Sequence, residues 1–151
     1  MAIVALSEAA ADTVSSEIGQ VMGGQPRMIT TFKKVEKGTD GGITFAGTLA
    51  GFLAAAVIGI VFAVCSYIGP QCDPGTPECH LETPDDRLAI VLIATAAGTF
   101  GLIFDSLLGA IFERRGWLNN DAVNFVSTIS AWMFAIAAVA LYRYSQYSWL
   151  Y

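Results

Sequence analysis

The sequence predicts an all-α protein: a polytopic transmembrane helical bundle of about three membrane spans plus an N-terminal helix, forming one membrane domain over residues 1–151. Three observations lead there. Charged residues make up 14% of the chain, where a soluble domain carries about 25%. Apolar residues make up 54%, a balance wrong for a solvated sphere. Residues 43–66, 88–112 and 122–142 are each mostly apolar over the roughly 20 positions that a helix needs to cross ~30 Å of hydrocarbon. The connections are short, which leaves no room for a water-soluble catalytic domain. Any site must be built from helix ends, the N-terminal segment and the loops.

The first element, residues 1–22, reads as a helix in which Ile3, Leu6, Ala10, Val14 and Ile18 recur at spacings near 3.6 and Glu8, Asp12, Ser15, Ser16 and Glu17 fill polar positions. Gly23, Gly24 and Pro26 stop it. Two placements suit this pattern: an amphipathic helix lying in the membrane interface, or a helix buried among others. Met1 to Leu6 is apolar and carries no Lys or Arg, so it does not read as a secretory signal, and no targeting segment is expected.

Residues 28–37 alternate weakly and lead into Gly38-Thr39-Asp40-Gly41-Gly42, where glycines permit positive φ and close backbone approach. With Lys33, Lys34 and Lys37 nearby, such a turn can cradle a phosphate through backbone N–H groups. It lacks the P-loop spacing, and a plain glycine turn with a collar of snorkelling lysines explains it equally well.

In the first span, Gly47, Gly51, Ala55 and Gly59 recur every four residues, as on a helix face that meets another helix closely. The acidic loop, residues 67–87, holds Cys72, Cys79 and His80, with Cys65 at its edge. A Pro-Gly turn between Cys72 and Cys79 allows a disulfide on an oxidising side. Free thiols and a zinc site are the alternatives, the latter with no module spacing to support it.

The second span carries Asp105 in an apolar run. A carboxylate at membrane depth costs a few kcal/mol, so it faces a partner, a cavity or a metal. Its bland reading is a group near the boundary that reaches water or pairs with Arg114 or Arg115. Asn119, Asn120 and Asp121 suit a helix cap, whereas Asn124, inside the third span, needs a partner for its amide. Trp132, Tyr142, Tyr144, Tyr147, Trp149 and Tyr151 place aromatic weight at the far end, as in an interfacial belt.

Orientation follows from the eight basic residues. Arg27, Lys33, Lys34 and Lys37 precede the first span and Arg114 and Arg115 follow the second, whereas the opposite side holds only Arg87 and Arg143. The positive-inside rule puts the former two regions in the cytosol, stroma or equivalent compartment. Asp12, Glu17, Lys33, Lys34, Thr39, Asp40, Asn119, Asn120 and Asn124 then converge on the side nearer Asp105. Carboxylates for Mg²⁺, lysines for phosphate and a glycine turn are parts suited to moving a phosphoryl group onto a lipid-borne acceptor. The net charge of −5 argues against nucleic acid as a partner.

Five blocks then resemble the phytyl-phosphate kinase family in order: Ala11-Asp12-Thr13-Val14-Ser15-Ser16-Glu17-Ile18-Gly19, Pro26-Arg27-Met28-Ile29-Thr30-Thr31, Lys37-Gly38-Thr39-Asp40-Gly41-Gly42-Ile43-Thr44, Asp105-Ser106-Leu107-Leu108-Gly109-Ala110, and Leu118-Asn119-Asn120-Asp121-Ala122-Val123-Asn124-Phe125. The resemblance implies a polytopic helical protein. In plant-type members it implies nucleotide-dependent conversion of phytyl phosphate to phytyl diphosphate for tocopherol and related prenyl lipids, in a plastid or cyanobacterial-type membrane. On matching positions, Asp12, Glu17 and Asp105 are the candidate catalytic carboxylates. Asp12 and Asp105 are the metal ligands for Mg²⁺ beside a nucleoside triphosphate. Lys34 and Thr39 are phosphate contacts, with Asn120 and Asn124 as further substrate-side polar groups. The chain resembles the C-terminal portion of the family domain, since members usually carry several more helices before the first block. A membrane lipid or isoprenoid phosphate and other transmembrane helices or subunits are the expected partners. The rival readings are a non-catalytic membrane subunit that keeps the fold, and a transporter or channel with Asp105 in an ion path.

Overall fold

The computed structural model describes residues 2–68 and 84–147, with residues 84, 85 and 147 described by backbone alone. The chain forms helix α1 (Ala2–Met22), strands β1 (Arg27–Met28) and β2 (Gly42–Ile43), helices α2 (Phe45–Ile68) and α3 (Pro84–Ile111), a 3-10 turn over Glu113–Arg115, and helix α4 (Asn120–Tyr147). Helices α2, α3 and α4 are long and apolar enough to cross a membrane. Cys72, Cys79 and His80 lie outside the described residues. Cys65, near the end of α2, is an exposed free thiol.

The helix boundaries have local causes. Helix α2 starts later than residue 43 because Gly42 and Ile43 are taken by β2, paired antiparallel with Met28 and Arg27, and because Thr44 caps the helix. Gly47 N donates to Thr44 Oγ1 at 3.0 Å. Helix α4 starts earlier than residue 122 because the Asn119 side chain accepts from Ala122 N at 2.9 Å. Gly116, at φ 68°, closes the 3-10 turn before it.

Helix α1 lies among the other helices and not in the interface. At 1.5 Å per residue its 21 residues are about 31 Å long, the thickness of the hydrocarbon layer. It runs antiparallel to α2 through small residues: Gly19 and Ser15 meet Gly47, and Ala11 and Ser15 meet Gly51. Farther along, Ser7 meets Gly98 of α3, and Val4 joins Ala97, Ala131 and Ala135 in a buried cluster. In its first half α1 turns polar as well as apolar side chains inward. Leu6 is exposed, whereas Ser7, Glu8 and Ala11 are buried. In a bilayer an apolar side chain loses nothing by facing lipid, while a polar one must face protein.

The same logic governs α2, where Gly47, Gly51, Ala55 and Gly59 are the buried residues and Phe52, Leu53, Val57, Ile60 and Val61 point outward. The segment from β1 to β2 folds over the end of α3. Gly41, at φ 74°, sits so close to Ala110 that a side chain there would collide with it. Arg114 Nη1 lies 3.7 Å from Met28 Sδ, and Lys37 Nζ donates to Gln20 O at 2.7 Å. The basic residues before α2 and those after α3 thus share one end of the bundle, called below the basic end.

Candidate functional site

Helices α1 and α3 bring carboxylates together at membrane depth, and α4 adds hydroxyl groups beside them. Glu8 and Asp12 are one turn apart on one face of α1. Asp105 comes from α3, about 14 Å of helix before Arg114. Glu8 is 2% exposed. Its carboxylate accepts from Ser127 Oγ at 2.7 Å and from Thr128 Oγ1 at 2.6 Å, both on α4. Its stem rests on Gly101 of α3, where any Cβ would collide with Glu8 Cγ. Glycine at that position lets α1 approach α3 one turn before Asp105.

Asp105 lies within electrostatic reach of Asp12 and Glu8, and Ser127 stands beside it. Its Oδ1 atom is buried and has no hydrogen-bond partner among the described residues. Neither arginine of the following turn compensates it: Arg114 is engaged with Met28, and Arg115 lies over the Trp117 ring at 5.5 Å. Acidic groups gathered at such depth call for a neutralising partner near them. Among the described residues no three His, Cys, Asp or Glu groups converge tightly enough to hold a metal ion by themselves. The buried Asp105 Oδ1, with no partner among the described residues, is open to a further ligand such as a cation that takes only one or two protein carboxylates.

The glycine turn adjoins this cluster. Gly109, one turn beyond Asp105 on α3, is packed under Gly41 and Asp40, with Glu113 alongside. That places Thr39-Asp40-Gly41 about 6 Å along the helix axis from Asp105. Thr39 is half-buried, its hydroxyl donating to Glu36 O at 2.8 Å. Lys34 is exposed on the same β1–β2 segment and bridges to Arg27.

The fold therefore brings Asp12 and Asp105 near each other, with Thr39 on the segment packed against the next turn of α3. Asn124 is half-buried, and its backbone carbonyl also lies within reach of the Ser127 and Thr128 hydroxyls, at 2.9 and 2.8 Å. Glu17 and Asn120 are exposed, the first on the outer side of α1 and the second in the first turn of α4. Glu8, Ser127, Thr128 and Gly101 escaped the sequence reading as site residues. The available signal was helical spacing: Glu8 precedes Asp12 by four, and Ser127 and Thr128 follow Asn124 by three and four.

The chain matches the family described as integral membrane protein DUF92 over residues 1–132. It belongs to that family. Among curated relatives, the uncharacterized membrane protein MJ0933 of Methanocaldococcus jannaschii is 44% identical over 127 residues, covering 84% of this chain and 45% of the relative. Protein PGR of Arabidopsis thaliana is 32% identical over 155 residues, covering 87% of this chain and 51% of its own length. The chloroplastic protein VTE6 of the same plant is 33% identical over 142 residues, covering 92% of this chain and 36% of its own length. This DUF92 chain spans about half or less of the length of these relatives. No solved structure matches it. The DUF92 match and the relatives VTE6 and PGR agree with the resemblance carried by the five sequence blocks. They also agree with the helical, membrane-integral architecture.

Proposed function

We propose that this chain is the carboxylate-bearing membrane portion of a prenyl-phosphate kinase, which transfers a phosphoryl group from a nucleoside triphosphate to phytyl phosphate or a similar isoprenoid phosphate. The observation that carries the reading is the Asp12–Asp105 pair. It is held at membrane depth one turn from a glycine turn, and one of its carboxylate oxygens lacks a partner among the described residues.

The chemistry asks little of a base. A phosphate monoester has its second pKa near 6 and is mostly dianionic at about pH 7, so the acceptor oxygen is already a nucleophile. A new P–O bond forms from that oxygen to the γ-phosphorus. The bond from the γ-phosphorus to the β,γ-bridging oxygen breaks, and a nucleoside diphosphate leaves. What remains for the protein is alignment and charge neutralisation. Bound Mg²⁺ would supply charge neutralisation of the phosphates. Asp12 and Asp105 are the residues to hold it, and Lys34 and Thr39 are placed at the basic end to meet phosphate oxygens. An apolar groove of about 300 Å³, lined by Ala2, Ala5, Thr128, Ile129 and Trp132, leads away from the cluster toward the other end of the bundle and suits a prenyl tail. A role in tocopherol synthesis and a plastid or cyanobacterial-type membrane belong to the same reading, supported by the similarity to a protein named as chloroplastic. Further transmembrane helices, from the same or another polypeptide, are the expected partners.

The test is transfer of labelled phosphate from each common nucleoside triphosphate to phytyl phosphate, using purified full-length polypeptide in lipid. Asp105→Asn and Asp12→Asn each remove a charge at constant size and are expected to lower turnover by about 10²-fold or more while leaving the protein inserted. A wild type inactive with every nucleotide refutes the reading. A second reading, a non-catalytic subunit that keeps the fold, is favoured by the absence among the described residues of a self-sufficient metal-ligand set.

A further inference from the structure

Glu8 is nearly inaccessible, reaches neither end of the bundle, and yet carries an ionisable group to the place where α1, α3 and α4 meet. Its oxygens are consumed by Ser127 and Thr128, so it is poorly placed to bind anything else. We infer that Glu8 is the positioning residue of the Asp12–Asp105 pair, drawing α3 and α4 against α1 one turn from each of those two carboxylates. The inference rests on the cation-holding reading of that pair.

The geometry supports this in three ways. Helix α1 is fixed to α2 from Ala11 to Gly19 by small residues, whereas it meets α4 through Val4 and the Glu8 carboxylate. Beyond that point Asp12 and Asn124 are only half-buried. The seat on Gly101 sets the α1–α3 spacing, and Asp105 lies four residues, one turn, further along the same helix face. Finally, the two hydroxyls do not depend on Glu8 for satisfaction, because the Asn124 carbonyl lies at 2.9 and 2.8 Å from them. Glu8, in contrast, depends on them.

That asymmetry separates positioning from mere stability. The triple variant Glu8→Met/Ser127→Ala/Thr128→Val replaces the whole network with apolar groups and is expected to fold with near wild-type thermal stability. Its affinity for Mn²⁺, measured by electron paramagnetic resonance as a probe of the Asp12–Asp105 pair, is expected to fall about 10- to 100-fold, the range seen when groups that orient metal ligands are removed. Glu8→Gln keeps the length and a carbonyl acceptor, and is expected to stay within about threefold of wild type, well short of that loss. Gly101→Ala leaves every polar group in place but displaces the Glu8 stem, and is expected to weaken Mn²⁺ binding as the triple change does. A triple variant or a Gly101→Ala protein that binds Mn²⁺ like wild type overturns the inference. So does a Glu8→Gln protein that loses as much affinity as the triple variant, because charge and not position would then be at work. A wild type that binds no Mn²⁺ overturns it as well. Intact Mn²⁺ binding without phosphoryl transfer would remove the kinase reading and leave Glu8 in this role.

Discussion

A methyl group added at Gly51 is expected to separate α1 from α2. A Cβ built there lies 2.7 Å from Ala11 O, 2.7 Å from Leu102 Cδ2 and 3.0 Å from Ser15 Cβ. Leu102 can rotate away, but the Ala11 oxygen is helix backbone. To regain ordinary contact at 3.4 Å, α1 must recede by ~0.7 Å. The neighbouring contact of Gly47 with Ser15 O is equally close, so the helix moves as a unit and opens a void elsewhere. Overpacking of this kind costs about 1–3 kcal/mol, which in a chain of this size lowers the melting temperature by about 2–12 °C. Gly51→Leu adds three more heavy atoms and is expected to abolish the contact altogether. Heating the protein in detergent while following tryptophan fluorescence and size-exclusion elution measures both. Val57→Leu, on the exposed face of the same helix, serves as the control and should shift melting by less than about 2 °C. If Gly51→Leu melts with the control, close packing of small residues does not hold α1 in the bundle. The position of Asp12, next to Ala11, would then need another explanation.

Three further outcomes are expected. Asn119→Ala removes the acceptor for Ala122 N and should lower stability by about 1 kcal/mol, readable as a reduced melting temperature with insertion unchanged. In sealed vesicles, Cys72 and Cys79 should react with an impermeant maleimide from the side opposite a Lys33→Cys substitution, and labelling from the same side would overturn the orientation drawn from basic residues. Combining Asp12→Asn with Asp105→Asn should lower phosphoryl transfer little beyond either change alone if the two act as one unit. Multiplied losses would separate their roles.

Much of the fold is legible in the residues themselves. Mean polarity and run length identify α2, α3 and α4 as membrane-spanning, because the bilayer sets a length and an apolarity that few other environments demand. The four-residue spacing of Gly47, Gly51, Ala55 and Gly59 marks a close helix contact, since only small side chains let two backbones approach. Asp105 stands out for the same reason, as a charge where the surroundings penalise one. Periodicity also separates the two faces of α1, but it does not say which face turns inward. Lipid and protein interior are both apolar, so Leu6 is at ease against either, and the answer depends on where partners for Glu8 and Asp12 lie. Glu8 finds its partners in Ser127 and Thr128, 119 and 120 residues away in sequence. Their meeting depends on Gly101 admitting the Glu8 stem and on α1 lying antiparallel against α2. The sequence by itself determined that this protein lives in a membrane and that three of its helices are long and apolar enough to span it, because those follow from local composition. Only the tertiary structure decided that Glu8 joins the cluster while Glu17 stays outside it, because helix rotation is set by contacts between segments and not within them.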